Sequence, residues 1–447
     1  MNNRLLILIF FMMTLSSIAQ DYTLEDCINY AMDKNLSLSN QKINAEISEE
    51  NYLQSKRNLL PVIEAGASGN QYFGRSIDPT TNDFVNQRLF SSNFYLSTQV
   101  SLFNGFIKQN TIKFNKLQHL LSEEQVKQKE IELTYTIMTA FYDAIYYEQL
   151  LKVVDEQLSL TKINIDKTNK LIDLGLKAES DLLEILAQES SEKHQLLTIK
   201  NQFDNSILLL KRAMNFPIND NLSLHHEQNI NSIYQWSVQE IYEHAVNHMP
   251  QLQITKLSIK SSENEINIAQ GRFYPTLYLG GNYTSGFADS NKENTNISNP
   301  NNPIWETIAF NRQFKQNASQ SVYLSLSIPI FYQWQSRSKL KIAKLNLENS
   351  KNLQEEMARE LYQQIAEDHQ QLQALIKEQE HLKIVEESQE KVYEIAEKKL
   401  NQGLISVLEF YTAKNQLTNT KAELLRVQTQ LKIKGRTMKI YLNDTME

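Results

Sequence analysis

Two long regions of the chain place apolar residues at steps of three and four, with polar residues between them. In the first region the series is Ile131, Tyr135, Met138, Tyr142 and Ile145. In the second region the series is Leu361, Ile365, Leu372, Leu375 and Leu382. A period of about 3.5 residues is that of coiled coils, so both regions are predicted to form helices that pack against neighbouring helices.

Helix-breaking residues are almost absent from these regions. Residues 106–216 contain the single glycine Gly175, residues 332–434 contain the single glycine Gly403, and neither segment contains proline. A continuous helix over residues 106–172 would be about 100 Å long at about 1.5 Å per residue. The sequence therefore predicts a mainly α-helical protein whose long helices form an elongated bundle or tube, with a turn at each glycine.

Most other Gly and Pro residues lie in two windows, where the apolar period changes to two. In the first window the apolar positions are Phe94, Leu96, Val100 and Leu102. In the second window they are Val322, Leu324, Leu326, Ile328 and Ile330. Partner strands are predicted at about residues 62–73 and 276–285, after Pro61 and Pro275, which mark the steps from helix to strand. Strands near this length with one apolar face are typical of membrane-spanning β-strands.

Aromatic residues gather at one end of each predicted hairpin. They are Phe103, Phe106, Phe273, Tyr274, Phe331, Tyr332 and Trp334. An aromatic belt at a lipid–water interface would explain this position. The alternative is that these rings cap the core of a soluble sheet.

The first twenty residues have the composition of a secretory signal peptide. Arg4 supplies positive charge, residues 5–15 form a short apolar run, and Ser17 and Ala19 occupy the small-residue positions of a cleavage site. The only cysteine is Cys27, so the chain is expected to form no intramolecular disulfide in spite of the oxidising export route.

The two halves of the chain align with each other. At a shift of 214 residues Pro61 falls on Pro275, and at a shift of 228 Gly175 falls on Gly403. The 14 extra residues belong to the Asn-rich loop of the second hairpin. An internal repeat of this length indicates two copies of one structural plan. The predicted divisions are a signal peptide at 1–19, a first repeat at 20–216, a linker at 217–235 and a second repeat at 236–447.

Charge and hydropathy limit the possible partners. The formal net charge is -7, and acidic and basic residues are interspersed, which argues against nucleic acid. No stretch after residue 20 could cross a bilayer as a helix, so a place in a membrane requires a closed β-barrel. Four strands are too few, since the smallest membrane barrels have about eight strands. Hairpins from several copies are therefore expected to share one barrel.

The ordered set of these features resembles the TolC family of outer-membrane efflux proteins over the whole mature chain. Each half has a proline at the helix-to-strand step and a glycine turn at the tip of a helical hairpin. The second half also carries the segment 245–252, Ala-Val-Asn-His-Met-Pro-Gln-Leu, near its start. The resemblance implies a homotrimer with an α-barrel that continues into a shared 12-stranded transmembrane β-barrel. It also implies a location in the outer membrane and its lipid, with the helical part in the periplasm.

The same resemblance implies a passive exit duct that docks on a periplasmic adaptor and an inner-membrane pump of the RND, ABC or MFS type. In this family acidic residues ring the periplasmic aperture. Asp181 and Glu409 match those positions, six residues after each glycine, and Glu184 lies one turn beyond Asp181. A ring of carboxylates would favour cations. A solvated helix face is the alternative explanation for each of these carboxylates.

The chain departs from the family pattern at the residues that lock the closed tip in some members. Leu400 and Ile405 stand at the positions of the family's tyrosine and arginine, and Thr412 replaces a second acidic residue. A lock, if one exists, is expected to rely on apolar packing of Leu400, Leu404 and Ile405.

No motif of an enzyme or of a cofactor site occurs in the sequence, so neither catalytic residues nor a cofactor is expected. His244 and His248 could bind a metal from one helix face, but surface histidines explain them better. The open alternative is a periplasmic adaptor or another elongated coiled-coil scaffold. The exported substrate also stays open among drugs, metal ions, other small molecules and proteins.

Overall fold

The computed structural model describes residues 21–77, 82–86, 88–225, 236–299 and 302–443. The predicted signal peptide and most of the predicted linker, residues 226–235, lie outside these ranges. The protein is mainly helical with a small strand part. In chain order the helices are α1 (Leu24–Lys34), α2 (Leu36–Arg57), α3 (Ile107–Asp173), α4 (Glu179–Met214), α5 (Val238–His248), α6 (Pro250–Gly271), α7 (Phe310–Gln316), α8 (Gln335–Asn401) and α9 (Val407–Leu442).

Helices at corresponding places in the two halves have equal lengths. The helices α1 and α5 have 11 residues each, and α2 and α6 have 22 each. The long helices α3 and α8 have 67 residues each, and α4 and α9 have 36 each. The α1 and α5 helices begin with capping boxes from Thr23 and Ser237, and α4 and α9 end at left-handed Asn215 and Asn443. The bounds of α3 confirm the helix predicted from residue 106 to 172 to within one residue.

The strands form one larger sheet and three small ladders. They are β1 (Asp21–Tyr22), β2 (Val62–Tyr72), β3 (Arg75–Ile77), β4 (Phe84–Asn86), β5 (Leu89–Asn104), β6 (Ser223–Leu224), β7 (Thr276–Ala288), β8 (Lys292–Asn294), β9 (Trp305–Thr307) and β10 (Ser319–Ser327). The larger sheet has the order β10-β7-β5-β2, and every neighbouring pair is antiparallel. The two predicted hairpins therefore lie side by side, joined through β5 and β7.

One prediction about the second hairpin is wrong. The alternating apolar pattern continues to Ile330, but β10 ends at Ser327. Pro329 has no backbone N–H to donate to a ladder, and it restricts the residue before it, so the pairing ends there.

The register of the larger sheet separates an apolar face from a polar face. Phe94, Leu96 and Val100 lie opposite Ser285, Tyr283 and Leu279, and Leu279 lies opposite Leu324. We call this side the apolar face; its apolar residues are Ile63, Phe94, Leu96, Val100, Leu277, Leu279, Val322, Leu324 and Leu326. The polar face carries Glu64, Tyr95, Ser97, Gln99, Asn282 and Ser325. The apolar face is largely uncovered: Val322 and Leu324 are 81% and 63% exposed.

The chain divides into two compact units, and each combines segments from both halves. The unit of residues 46–120 and 257–352 contains the larger sheet. The other unit contains residues 121–256 and 353–443 together with the described part of 1–45, and it has separate apolar cores. Ala31 of α1 is fully buried in one core with Phe141 of α3, and Ala245 of α5 is fully buried in another with Ile365 of α8. Cys27 is buried in the first core, and burial raises the pKa of its thiol to about 12.

The described residues of the connection from β7 to β10 include regular secondary structure. It contains the β8–β9 ladder and helix α7. Gln313 of α7 is fully buried and binds the backbone of β7 at both polar atoms of Ala288: its Nε2 donates to Ala288 O at 2.9 Å, and its Oε1 accepts from Ala288 N at 3.0 Å. A buried amide bonded in this way holds α7 against the end of the sheet.

Substitution Gln313→Ala is expected to release α7, because the Ala288 N–H and C=O then lose their partner inside the fold. Purified protein carrying the variant should be cut faster by trypsin after Arg312 and Lys315, as read by intact mass. Lys292→Gln, which changes a half-buried side chain of β8, serves as the control and should leave these cleavage rates unchanged. Equal cleavage rates in Gln313→Ala and the wild type would show that this amide does not hold the helix.

Candidate functional site

The two predicted tip turns have one geometry. Two residues after the last residue of each long helix stands a glycine with a φ of +71°. Gly175 N donates to Ile172 O, and Leu176 N donates to Leu171 O, both at 2.8 Å. This pair of bonds is a Schellman motif, which satisfies the last carbonyl groups of a helix and requires the left-handed conformation that glycine adopts without strain. Gly403 and Leu404 repeat both bonds at the end of α8, at 3.0 and 2.9 Å.

An apolar cluster packs behind the second turn. It contains Ile185 of α4, Ala396 of α8, and Val407, Phe410, Tyr411 and Ala413 of α9. Leu400 and Ile405 are partly buried and pack against this cluster. Leu404 is 67% exposed, so within one chain only two of the three predicted lock residues take part in apolar packing.

The three predicted aperture carboxylates lie in the first two turns of α4 and α9. Asp181 and Glu409 occupy the same position, three residues after the caps Ala178 and Ser406. Asp181 is half-buried, and Glu184 and Glu409 are exposed. Negative charge at this position is favourable for the helix itself, because the first turn presents unpaired N–H groups and the positive end of the helix dipole. Stabilisation of the helix start is therefore, by itself, a reason for a carboxylate at this position.

A buried ion pair that the sequence patterns above did not predict lies deeper in the same helices. Lys414 Nζ of α9 donates to Glu192 Oε1 of α4 at 2.9 Å, and the two side chains are 1% and 6% exposed. The same Nζ donates to Thr161 Oγ1 at 2.6 Å and to Gln157 O at 2.7 Å, both on α3. Lys414 thus joins three helices. Burial lowers the pKa of Lys414, and the Glu192 carboxylate opposes that shift.

The heptad pattern contained a signal for this pair. Glu192 lies seven residues from both Ile185 and Ile199, which are buried, and Lys414 lies seven residues after buried Val407. A charged residue at a core position of a heptad has to find a partner or remain exposed, and such polar core residues often fix the register of helices.

A second buried carboxylate lies in the same unit. Asp368 of α8 accepts from Lys434 Nζ at 2.5 Å and from Tyr441 Oη at 2.7 Å, both of α9. Burial raises the pKa of the Tyr441 phenol, which keeps it protonated as a donor. Both polar contacts tie α8 to α9.

No group of three or more His, Cys, Asp or Glu side chains in the described ranges could hold a metal ion. His244 packs edge-on against the Trp236 ring, with the ring centroids 5.3 Å apart. Across residues 21–443, apart from the undescribed stretches, no helix is long and apolar enough to cross a membrane.

One protein family matches most of the chain. The model of the outer membrane efflux protein family matches residues 27–215 and 241–443. No curated protein matches the sequence.

Solved membrane proteins, two of them outer membrane channels, share the fold at low sequence identity. An outer membrane channel of Campylobacter jejuni, CmeC, superposes with a TM-score of 0.80 at 14% identity, covering 94% of this chain and 85% of its own. The open state of the Neisseria gonorrhoeae outer membrane channel MtrE superposes with a TM-score of 0.76 at 17% identity. The match covers 94% of this chain and 89% of that channel's chain. A membrane protein of Pseudomonas aeruginosa superposes with a TM-score of 0.75 at 18% identity, and the match covers 94% of this chain and 90% of that protein's chain.

The fold and the matching family model identify a channel protein and not an enzyme. The features of a channel are the long paired helices, the exposed apolar face of the sheet and the two tips of the helical hairpins. The chain belongs to the outer membrane efflux protein family. It is an outer-membrane exit duct of an efflux system, with its helical part in the periplasm.

The Lys414→Met variant is expected to unfold at a much lower temperature than the wild type. Removing one partner of a buried ion pair leaves an uncompensated charge, which costs roughly 3–5 kcal/mol. The double variant Lys414→Met/Glu192→Leu should recover most of that loss, because no charge remains buried. Circular dichroism of the purified protein during heating measures the apparent midpoints.

The exposed pair Lys391–Glu387 provides the control. Its side chains are 68% and 71% exposed, so Lys391→Met should shift the midpoint little. A double variant that unfolds as early as Lys414→Met would show that loss of packing, and not the unpaired carboxylate, causes the destabilisation.

Proposed function

We propose that three copies of this chain form one duct, in which their sheets close a shared 12-stranded transmembrane β-barrel and their long helices form an α-barrel. The observation that carries the proposal is the larger sheet, which exposes an apolar face and whose edge strands, β2 and β10, each pair with one neighbour only within the part of the chain that the structure describes. In a hydrocarbon environment both edges need hydrogen-bond partners.

The strand directions support closure by copies of the same sheet. The order β10-β7-β5-β2 is antiparallel throughout, so β2 and β10 run in opposite directions. The β10 strand of another copy can therefore continue the sheet beside β2 as a further antiparallel pair. The resulting barrel has an even number of antiparallel strands, like the single-chain barrels of the bacterial outer membrane.

The two halves of the chain are proposed to be structural repeats, the first at 20–216 and the second at 236–447, joined by the linker at 217–235. The equal lengths of α3 and α8, and of α4 and α9, support this division. Pro61 and Pro275 stand directly before β2 and β7, so each repeat passes from helix to strand at a proline.

The tips at Gly175 and Gly403 are proposed to form the periplasmic aperture, ringed by Asp181, Glu184 and Glu409. Two of these carboxylates occupy equivalent positions at the starts of α4 and α9, which supports a common placement around a symmetry axis. The duct is passive, and a periplasmic adaptor with an inner-membrane pump of the RND, ABC or MFS type supplies energy and substrate choice.

Deletion of the second hairpin, residues 276–331, should abolish both the trimer and insertion into the membrane, because two of the four strands of each sheet are lost. Membrane fractionation followed by light scattering of the detergent-extracted particle measures both. A trimer that persists without the hairpin would contradict the shared barrel.

A shorter deletion in the same connection is the matched control. Ile308 N donates to Asn291 O at 2.9 Å, so removal of residues 292–307 joins two ends that already touch. This variant keeps β7 and β10, and it should still form trimers in the membrane.

Neutralising the aperture by Asp181→Asn, Glu184→Gln and Glu409→Gln should weaken the preference of the channel for cations. A ring of carboxylates raises the local cation concentration, and the amides do not. Reversal potentials across planar bilayers in a salt gradient measure the preference, which should fall towards equal permeation of both ions.

A control triple variant removes the same number of charges from exposed positions of α8, with Glu355, Glu360 and Glu387 changed to Gln. It should leave the reversal potential close to that of the wild type. Equal effects of the two triple variants would assign selectivity to net charge and not to the tip.

A further inference from the structure

A second group of aromatic side chains lies at the end of the sheet remote from Pro61 and Pro275. Phe94 of β5 packs against Phe310 and Phe314 of α7, with ring centroids 5.8 and 5.6 Å apart. Phe287 of β7 lies 5.7 Å from Phe310 and 6.4 Å from Phe90. We call these five residues the outer phenylalanine cluster. The aromatic residues noted in the sequence lie at the other end of the strands.

The contacts place α7 on the apolar face of the sheet. Ser285 lies directly opposite Phe94 in the β5–β7 register, so both side chains point to that face. Ser285 Oγ donates to Phe314 O at 2.6 Å. Gln313 fixes the helix further through Ala288. The helix therefore does not stand over the polar face, which would line the interior of a barrel.

The spacing of the two aromatic groups matches the height of a membrane barrel. Phe94 and Phe103 both belong to β5 and bound a segment of ten residues. At about 3.3 Å per residue and a tilt of about 40°, such a segment rises about 25 Å. This is the height of the apolar band between the two aromatic girdles of outer-membrane barrels. The outer phenylalanine cluster stands where the second girdle is needed.

The surface of α7 has the character of an interfacial helix. Phe310 is 48% exposed although it packs on the sheet. Arg312 and Lys315 are exposed on the same helix, and Arg312 forms an ion pair with Glu293 of β8. Amphipathic helices that combine aromatic residues with basic residues lie in the interface plane of membranes, and their length does not decide this. In the first hairpin the described residues form the β3–β4 ladder and no helix.

We propose that α7 is a membrane-interface anchor. It lies in the headgroup region of the outer leaflet, with Phe310 against the acyl chains and Lys315 at the height of the lipid phosphates. The anchor sets the depth of the barrel on its outer side, as the aromatic group near Trp334 does on the other side. The proposal rests on the proposed duct, because it requires the apolar face of the sheet to contact lipid.

Tryptophan quenching by brominated phospholipids tests this placement. The three native tryptophans, Trp236, Trp305 and Trp334, are replaced by Phe, and single reporters are then introduced. The first reporter is Phe310→Trp. The second restores Trp334. All variants are reconstituted as the full chain into bilayers whose lipids carry bromine close to the headgroup.

Leu176→Trp at the exposed hairpin tip is the matched control, since that tip belongs to the other compact unit. We expect the Phe310→Trp reporter to lose as much fluorescence as Trp334, and Leu176→Trp to lose almost none. Lipids with bromine at the chain ends should quench the Phe310→Trp reporter less than those with bromine near the headgroup.

The outcomes separate this proposal from the duct itself. Strong quenching of Trp334 with no quenching of Phe310→Trp overturns the anchor and leaves the barrel standing; α7 would then lie in water or under another copy of the chain. Absence of quenching at both positions overturns the lipid-facing sheet and the anchor together. Equal quenching of Phe310→Trp by both lipids would place α7 deeper than the interface and contradict the proposed position.

Discussion

The outer edges of β2 and β10, beside which no other strand of the described residues lies, are the constraint on which the rest of the structure depends. Their sheet has one face of aliphatic and aromatic side chains, which favours lipid, while its edges carry N–H and C=O groups that lipid cannot solvate. A single chain of four strands cannot resolve this conflict. Copies related by rotation can, because β2 and β10 run in opposite directions and each completes the other.

The long helices depend on a second constraint. Seven-residue spacing along α3, α4, α8 and α9 leaves a narrow apolar seam on each, which packs into separate cores and not one large core. Charged residues at seam positions form specific polar contacts with neighbouring helices. Lys414 meets Glu192 and the backbone of α3, and Asp368 meets Lys434 and Tyr441. The Lys414–Glu192 pair joins α9 of the second half to α4 of the first half, whereas Asp368 joins α8 to α9 within the second half. Both sets of contacts restrict how the helices register with one another.

Much of this fold could be predicted from the sequence, because its long helices and strands have simple periods and few interruptions. The bounds of α3, the turns at Gly175 and Gly403 and the start of β2 after Pro61 all follow from local patterns. Three features were not predicted. The end of β10 follows from Pro329, a local signal that the alternating apolar pattern obscured. The heptad positions mark Lys414 and Glu192 as core residues, but that the two meet, and that Gln313 binds Ala288, are tertiary contacts that periodicity does not encode.

The most direct test of the shared barrel is the mass of the particle extracted from outer membranes in mild detergent, measured by light scattering with the detergent contribution subtracted. A mass of three chains, with the high helical content of the fold retained, is the predicted result. Recovery of the protein as a single chain in the soluble periplasmic fraction would contradict the shared barrel. Its sheet would then expose an apolar face and two open edges to water.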